Sequence, residues 1–284
     1  MTEEDWVVLE LPSWPLAAFH RHKISPHIAV FTNLYPDHLN FYRTMDDYLF
    51  DKKAIYLYQK KGDYFVVNKQ VMTILVPFHP KGVLRVFKAE DFPFELQYLK
   101  GKHNKENAAA ALCVSRIVGI DEKKAVESIT AFKGLSYRQK IVGVKDSIVF
   151  VNDTTSTTPI ATIKALDSFA HDGKKIFLLL GGTSKNLPYE ILIDRLVDAE
   201  KIILLKGSFT DEIISILREK YANKITEVYG DLEQAVNIAY EFAKSTGGYV
   251  LFSPAAPSFA MFNNEFHRGE EFNKIVKKIL DNKI

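Results

Sequence analysis

The sequence has almost no cysteine and almost no excess of charge. Cys113 is the single cysteine among 284 residues, which excludes an internal disulfide and a cysteine-based zinc site and favours a reducing, cytoplasmic compartment. Lysine and arginine total 37 against 35 for aspartate and glutamate, a net charge of +2. So small a charge gives no field that would indicate nucleic acid as a partner, so an anionic ligand would need a local site.

Long apolar runs are also missing. No stretch approaches the roughly 20 consecutive apolar residues that span a bilayer, and the N-terminus lacks the basic and apolar regions of a signal peptide. Internal repeats, low-complexity segments and long linkers are absent as well. We therefore expect a soluble monomer with no membrane partner. At 284 residues the chain is long enough for two domains, because domains usually contain about 100–200 residues. Its 47% of hydrophobic residues can supply a core for each.

Strands and helices alternate in the first part of the chain. The runs "DWVVLEL" and "HIAVFTNL" predict buried strands, and a helix is predicted over 44–59, where Thr44 and Asp47 have the spacing of a capping box. Further helices are predicted over 104–117 and 121–132, with short β-like pieces before them. The turn "KGLSYRQ" predicts a domain boundary near Gly134, which separates domains 1–133 and 134–284.

The second part predicts a doubly wound α/β domain, because five apolar strands alternate with helices. Ligands bind such domains where strands end, and four strand ends are rich in polar or flexible residues: "VND" runs into "TTSTTP", "LLLGG" into "TSKN", "LLKG" into "SFT", and "YVLF" into "SPAAPSF". Hydroxyls, glycines and a lysine suit an anion. Any one of these loops is equally consistent with ordinary turns and helix caps. Convergence at one sheet edge favours a binding site.

An ordered set of motifs over nearly the whole chain resembles the Mur ligases, ATP-dependent amide-bond-forming enzymes of peptidoglycan precursor synthesis. The motifs are "LELPSW", "TNLYPDH", "YLFDKKAIY", "GKHNKEN", "YR", "VNDTTSTTP", "LLLGGTSKN" and "LFSPAAPSFAMFNNEFHRG". Within the family they are most similar to the D-glutamate-adding branch. The resemblance implies the remainder of a central ATPase domain followed by a Rossmann-like C-terminal domain. It also implies a ligase that joins D-glutamate to UDP-N-acetylmuramoyl-L-alanine through an acyl-phosphate.

The resemblance further implies a catalytic magnesium site. Glu10 and His38 match family positions that help to ligate Mg²⁺, and Lys52 matches a lysine that is carbamylated into a carboxylate-like ligand. Carbamylation requires a neutral amine, which partial burial favours. Without the resemblance, His38 is an ordinary turn residue, and Lys52 and Lys53 form a solvated helix face.

Nucleotide and acceptor sites are implied in the same way. Asn104, Asn107, Arg138 and Asp153 match positions near ATP, although Asn104 is also a candidate helix cap and Asn107 a candidate surface residue. The positions that match the D-glutamate site are Thr157, Lys185, Ser258 and Phe259. A lysine and hydroxyls are suitable donors to a dicarboxylate.

Three departures from the family pattern matter. Thr155 stands where many relatives have a lysine, and Glu265 stands where phenylalanine is common. The Gly-x-x-Gly-Lys-Thr/Ser loop that cradles phosphates does not occur in the sequence. We therefore expect a partial ligase that is inactive alone, with "KGLSYRQ" as its hinge. The alternatives are a related ligase of the folylpolyglutamate synthetase type and a non-catalytic ligand-binding module.

Overall fold

The computed structural model describes residues 5–38, 41–75, 77, 80–259 and 261–281, and it divides into two compact units. The first unit comprises Met1–Leu34, His38–Phe94 and Lys105–Ile129. The second comprises Tyr35–Asp37, Glu95–Asn104 and Thr130–Ile284. The domain boundary near Gly134 stays a prediction. No helix of the described residues is long and apolar enough to cross a membrane.

The first unit contains a parallel sheet of three strands in the order β1-β2-β3. Its strands are β1 (Ile28–Phe31), β2 (Tyr64–Asn68) and β3 (Val83–Phe87), and its helices are α1 (Ser13–His22), α2 (Met45–Leu57), α3 (Lys69–Leu75), most of α4 (Lys102–Ile117), and α5 (Glu122–Thr130). Apolar side chains of β1, β2, α2 and α3 form one buried cluster. The strand at "HIAVFTNL" and the helices over 44–59, 104–117 and 121–132 are thus confirmed, with ends shifted by at most three residues.

The capping box of α2 is confirmed. The Thr44 hydroxyl accepts a hydrogen bond from the Asp47 amide at 3.1 Å, and the Asp47 carboxylate accepts one from the Thr44 amide at 3.1 Å. Both side chains therefore satisfy amides that a helix start leaves unpaired, which fixes where α2 begins.

The buried strand predicted at "DWVVLEL" is wrong. Residues 5–10 form no strand, and Trp6 and Val8 are 62% and 93% exposed. A strand needs a hydrogen-bonded neighbour, and no strand of the described residues pairs with this segment. Its apolar side chains consequently stay in solvent.

The second unit contains a six-stranded sheet in the order β4-β5-β9-β6-β7-β8. The strands are β4 (Lys140–Lys145), β5 (Ile148–Asn152), β6 (Ile176–Leu180), β7 (Lys201–Leu205), β8 (Ile225–Tyr229) and β9 (Gly248–Phe252). All neighbours pair in parallel except β4 and β5, which form an antiparallel pair. The predicted α/β class is therefore confirmed, with an antiparallel edge strand that the sequence analysis did not find.

Helices cover both faces of this sheet. They are α6 (Pro159–Phe169), α7 (Glu190–Arg195), α8 (Ser208–Tyr221), α9 (Leu232–Lys244) and α10 (Glu265–Leu280). One buried cluster includes side chains of α6, α7 and α8, and a second includes side chains of α9 and α10. The last helix begins at Glu265, because Asn264 caps it by accepting a hydrogen bond from the His267 amide at 2.8 Å.

Candidate functional site

The loops that follow β5, β6 and β9 are hydrogen-bonded to one another at the carboxyl edge of the six-stranded sheet. The Thr183 amide after β6 donates to the Pro257 carbonyl after β9 at 2.9 Å. The Thr162 hydroxyl of α6, the helix that follows β5, donates to the Ser253 carbonyl after β9 at 3.1 Å. The loop after β9 is therefore fixed to both neighbours, as expected at the edge where doubly wound sheets bind ligands.

Glycines permit this close approach. Gly182 has φ 147°, and a Cβ added there would lie 2.2 Å from the Pro257 carbonyl oxygen. Gly207, which follows β7, has φ 157°, and a Cβ there would lie 2.0 Å from the Gly182 carbonyl oxygen. Neither position has room for a side chain, so both glycines are needed for the loops to pack.

Lys185 lies in the loop after β6 with its ammonium between two oxygens. Its Nζ lies 3.3 Å from Thr157 Oγ1 in the loop after β5 and 3.1 Å from Asp37 Oδ1. The side chains of Lys185 and Asp37 are 22% and 28% exposed, so the ion pair is only partly screened by water. The structure thus brings together two of the residues predicted to bind the acceptor, Thr157 and Lys185.

Ser258 carries a buried hydroxyl in the loop after β9. The residue is 3% exposed, and its Oγ has no hydrogen-bond partner among the described residues. A buried hydroxyl without a partner is costly, and one common reason for it is a ligand that completes the bond. Phe259, the next residue, is 67% exposed.

Asp153 is buried directly after β5. Its carboxylate accepts hydrogen bonds from the hydroxyls of Ser156 and Ser253, both at 2.7 Å, and from the Gln139 amide at 3.0 Å. Burial raises the pKa of Asp153 to about 6, although these donors and the nearby charge of Arg138 oppose the shift. Arg138 itself is exposed.

The two asparagines of α4 differ in their surroundings. The Asn104 side-chain amide donates to the Lys100 carbonyl at 2.7 Å, a bond of the first helical turn. Asn107 is exposed in the first unit. The exposure of Asn107 agrees with the surface alternative, but Asn104 lies inside α4 and donates to a carbonyl, so it is not an N-cap. A nucleotide role for either residue stays a prediction.

Glu10, His38 and Lys52 lie in the first unit. Glu10 is exposed in an irregular segment, and the His38 ring packs edge-on against Trp14 at 5.3 Å. The Lys52 Nζ lies over the rings of Tyr48 and Phe31, at 5.1 and 5.6 Å, which is a favourable environment for a protonated amine. An ammonium is no metal ligand.

Metal binding finds no further support in the described part of the chain, which contains no group of three or more His, Cys, Asp or Glu side chains able to hold an ion. Lys52 fits a metal centre only if its amine is carbamylated, because an ammonium over two aromatic rings offers no lone pair to an ion. The magnesium role stays a prediction.

Comparison with known proteins finds one family match and several named relatives. Residues 1–76 match the family described as the Mur ligase middle domain. The chain is 32% identical to the UDP-N-acetylmuramoylalanine--D-glutamate ligase of Borreliella afzelii over 95% of this chain and 63% of that protein. It is 31% identical to the enzyme of the same name from Acetivibrio thermocellus, over 98% and 64%. The chain is thus similar to Mur ligases over most of its length.

Solved structures share the fold of this chain. The MurF ligase of Thermotoga maritima in complex with ADP superposes with a TM-score of 0.65 at 21% identity, covering 94% of this chain and 65% of that one. A folylpolyglutamate synthase/dihydrofolate synthase from Yersinia pestis superposes with a TM-score of 0.56 at 13% identity, covering 92% and 62%. The chain spans less than two thirds of the length of the curated relatives described above.

Arg268 is a residue at this sheet edge that the sequence analysis missed. It is 1% exposed, and its guanidinium donates to the carbonyls of Thr154 at 2.7 Å and Ala256 at 3.0 Å. It therefore ties the loop after β5 to the loop after β9. Burial lowers the pKa of Arg268 to about 9. The one signal in the sequence was an arginine on the apolar face of an amphipathic helix.

Proposed function

We propose that this chain provides the acceptor-binding part of a ligase that uses ATP to join D-glutamate to UDP-N-acetylmuramoyl-L-alanine. The observation that carries the proposal is the grouping of strand-end loops around Lys185, whose ammonium lies 3.3 Å from the Thr157 hydroxyl. The names of relatives about 31% identical to the chain support the choice of substrates.

The chemistry of these residues suits D-glutamate, which has two carboxylates. Lys185 supplies a charge-assisted hydrogen bond to one carboxylate, and Thr157 and Ser258 supply hydroxyl donors. Thr155, where many relatives have a lysine, donates instead to the Tyr137 carbonyl at 2.8 Å. The site therefore has one positive charge fewer, which predicts weak binding.

In the proposed reaction ATP transfers its γ-phosphoryl group to the carboxylate of UDP-N-acetylmuramoyl-L-alanine. The D-glutamate amine attacks the resulting acyl-phosphate, and phosphate leaves as the amide forms. This chain's part is to hold and orient the amine donor, which raises the effective concentration of the amine at the acyl carbon. Asn104, Asn107, Arg138 and Asp153 are proposed to contact the nucleotide. A magnesium role for Glu10, His38 and Lys52 belongs to the proposal, but no step is derived from it.

The acceptor site predicts millimolar binding of D-glutamate that depends on Lys185. We expect Lys185→Ala to abolish the chemical-shift changes that D-glutamate causes near Thr157 and Ser258, because no other ammonium contacts them in the described residues. Lys206→Ala is the matched control, since Lys206 is an exposed lysine that follows β7 in the same sheet. The measurement is an NMR titration of both variants and the wild type with D- and L-glutamate.

Equal shifts in the wild type and Lys185→Ala would contradict the proposed acceptor site. Stronger binding of L-glutamate than of D-glutamate would favour a ligase of the folylpolyglutamate synthetase type instead. Binding of neither would favour a non-catalytic module.

Turnover by this chain alone is not expected. The sequence contains no Gly-x-x-Gly-Lys-Thr/Ser loop, and without backbone amides and a lysine around the phosphates the transferred group is not held. Phosphate release should be measured with ATP, Mg²⁺, UDP-N-acetylmuramoyl-L-alanine and D-glutamate. A rate within about tenfold of a full-length relative, a difference of about 1.4 kcal/mol in the barrier, would contradict the prediction.

A further inference from the structure

The Lys185 ammonium is already paired with a carboxylate of its own chain. Asp37 Oδ1 lies 3.1 Å from Lys185 Nζ, and both residues belong to the second unit. Both side chains are more than two thirds buried, so water screens the pair less than it screens a surface ion pair. The carboxylate of Asp37 thus occupies the position at which Lys185 would hold an acceptor carboxylate.

The hydrogen-bonding capacity of the ammonium is limited. A lysine ammonium has three protons, and the oxygens of Asp37 and Thr157 account for two of them. An arriving carboxylate that shared the ammonium with Asp37 would place two negative charges within a few ångströms of each other, which is unfavourable. A carboxylate ligand therefore binds well only if Asp37 moves away.

We propose that Asp37 is an internal competitor for the acceptor site, which an acceptor dicarboxylate displaces from Lys185. This inference rests on the proposed function. Any carboxylate ligand must break the Asp37–Lys185 pair, and a dicarboxylate makes more new contacts in return than a monocarboxylate does. Asp37 therefore lowers the affinity for every carboxylate by the cost of breaking this pair.

The test compares Asp37→Asn with the wild type on the whole chain. The substitution keeps the shape of the side chain and removes its negative charge. Asp194→Asn is the matched control, because Asp194 forms a lysine ion pair of similar length, 3.0 Å to Lys220, on an exposed surface. Asp37→Ser serves as a second variant in case the asparagine disturbs the turn. Amide NMR spectra establish that each variant is folded.

Two probes separate the competing explanations. D-glutamate carries an amine, whereas glutarate has the same two carboxylates without one. If Asp37 competes for Lys185, Asp37→Asn should tighten the binding of both probes by about fivefold, the upper range for an ion pair that is not fully buried. Asp194→Asn should leave both dissociation constants unchanged.

Two results would overturn the inference while leaving the acceptor site in place. The first is an equal dissociation constant for the wild type and Asp37→Asn. The second is weaker D-glutamate binding with unchanged glutarate binding in Asp37→Asn, which would show that Asp37 holds the amine. Two other results would instead contradict the proposed function. In the first, neither probe binds to the wild type or to Asp37→Asn. In the second, Lys185→Ala binds both probes with the same dissociation constants as the wild type.

Discussion

Two buried polar side chains, those of Asp153 and Arg268, hold the loops together at the carboxyl edge of the six-stranded sheet. The carboxylate of Asp153 accepts three hydrogen bonds, from Ser156, Ser253 and the Gln139 amide, and so joins the loop after β5 to the loop after β9 and to the segment before β4. Arg268 ties two of the same loops together through backbone carbonyls. These contacts give Asp153 a structural role, which is to hold the loops together. Contact with a nucleotide would be a second role for the same carboxylate.

The raised pKa of Asp153 predicts a pH-dependent stability. The native pKa of about 6 lies above the ordinary value of 3.8, so between these pH values the native state binds more protons than the unfolded state. The free energy of unfolding contributed by Asp153 therefore falls as pH rises from about 4 to 7. Asp153→Asn lacks this titration. We expect the wild type to lose up to about 3 kcal/mol relative to Asp153→Asn over that range.

Urea unfolding of both proteins at several pH values measures this difference. Asp194→Asn is a suitable control, because Asp194 is 72% exposed and its substitution leaves the buried carboxyl of Asp153 in place. Asp153→Asn and wild-type stabilities that change in parallel with pH would show that the carboxyl is not desolvated in solution.

At the scale of elements, local signals predicted most strands and helices. β5, β6, β7 and β9 are short apolar runs bounded by turn residues, and α2 begins at its capping box. The strand at "DWVVLEL" was wrong because pairing depends on residues distant in the chain. The antiparallel β4 was missed because a register shift between Ile141 and Gly143 interrupts its pattern.

The candidate site, like the fold, was predictable only in part from the sequence. Because parallel strands end at one sheet edge, the sequence predicted that Thr157 and Lys185 lie near each other, and they do. The contact between Lys185 and Asp37 was not predictable, because 148 residues separate the two in sequence. The same applies to Arg268, whose partners lie in two other loops.

The loop after β6 predicts a large difference between two glycine substitutions. Gly182→Ala should destabilise the protein by more than about 3 kcal/mol, since its φ is 147° and the new Cβ would meet the Pro257 carbonyl oxygen at 2.2 Å. Gly173→Ala is the control: φ is 71° and nothing lies within 4 Å, so only about 1 kcal/mol should be lost. Thermal unfolding measures both, and equal losses would show that the loops after β6 and β9 do not pack closely.

At the scale of the whole molecule, the two units differ in how completely their sheets are covered. Two buried clusters lie on the six-stranded sheet, one including side chains of α6, α7 and α8 and the other including side chains of α9 and α10. In the described residues of the first unit a single buried cluster accompanies three strands, of which β1 and β3 are edges. More apolar burial for each strand means greater stability, and open edges lower it.

This difference predicts unequal protection from hydrogen exchange in the intact chain. Val66 and Val67 of β2 and Leu178 and Leu179 of β6 are suitable probes, because all four side chains are fully buried in central strands. If burial of the side chain alone determined protection, the two pairs of amides would exchange alike. If each unit opens according to its own core, the β6 amides should exchange roughly 100-fold more slowly, a difference of about 2.7 kcal/mol in opening free energy. Equal protection in native-state exchange would mean that both units unfold together, which would contradict the prediction.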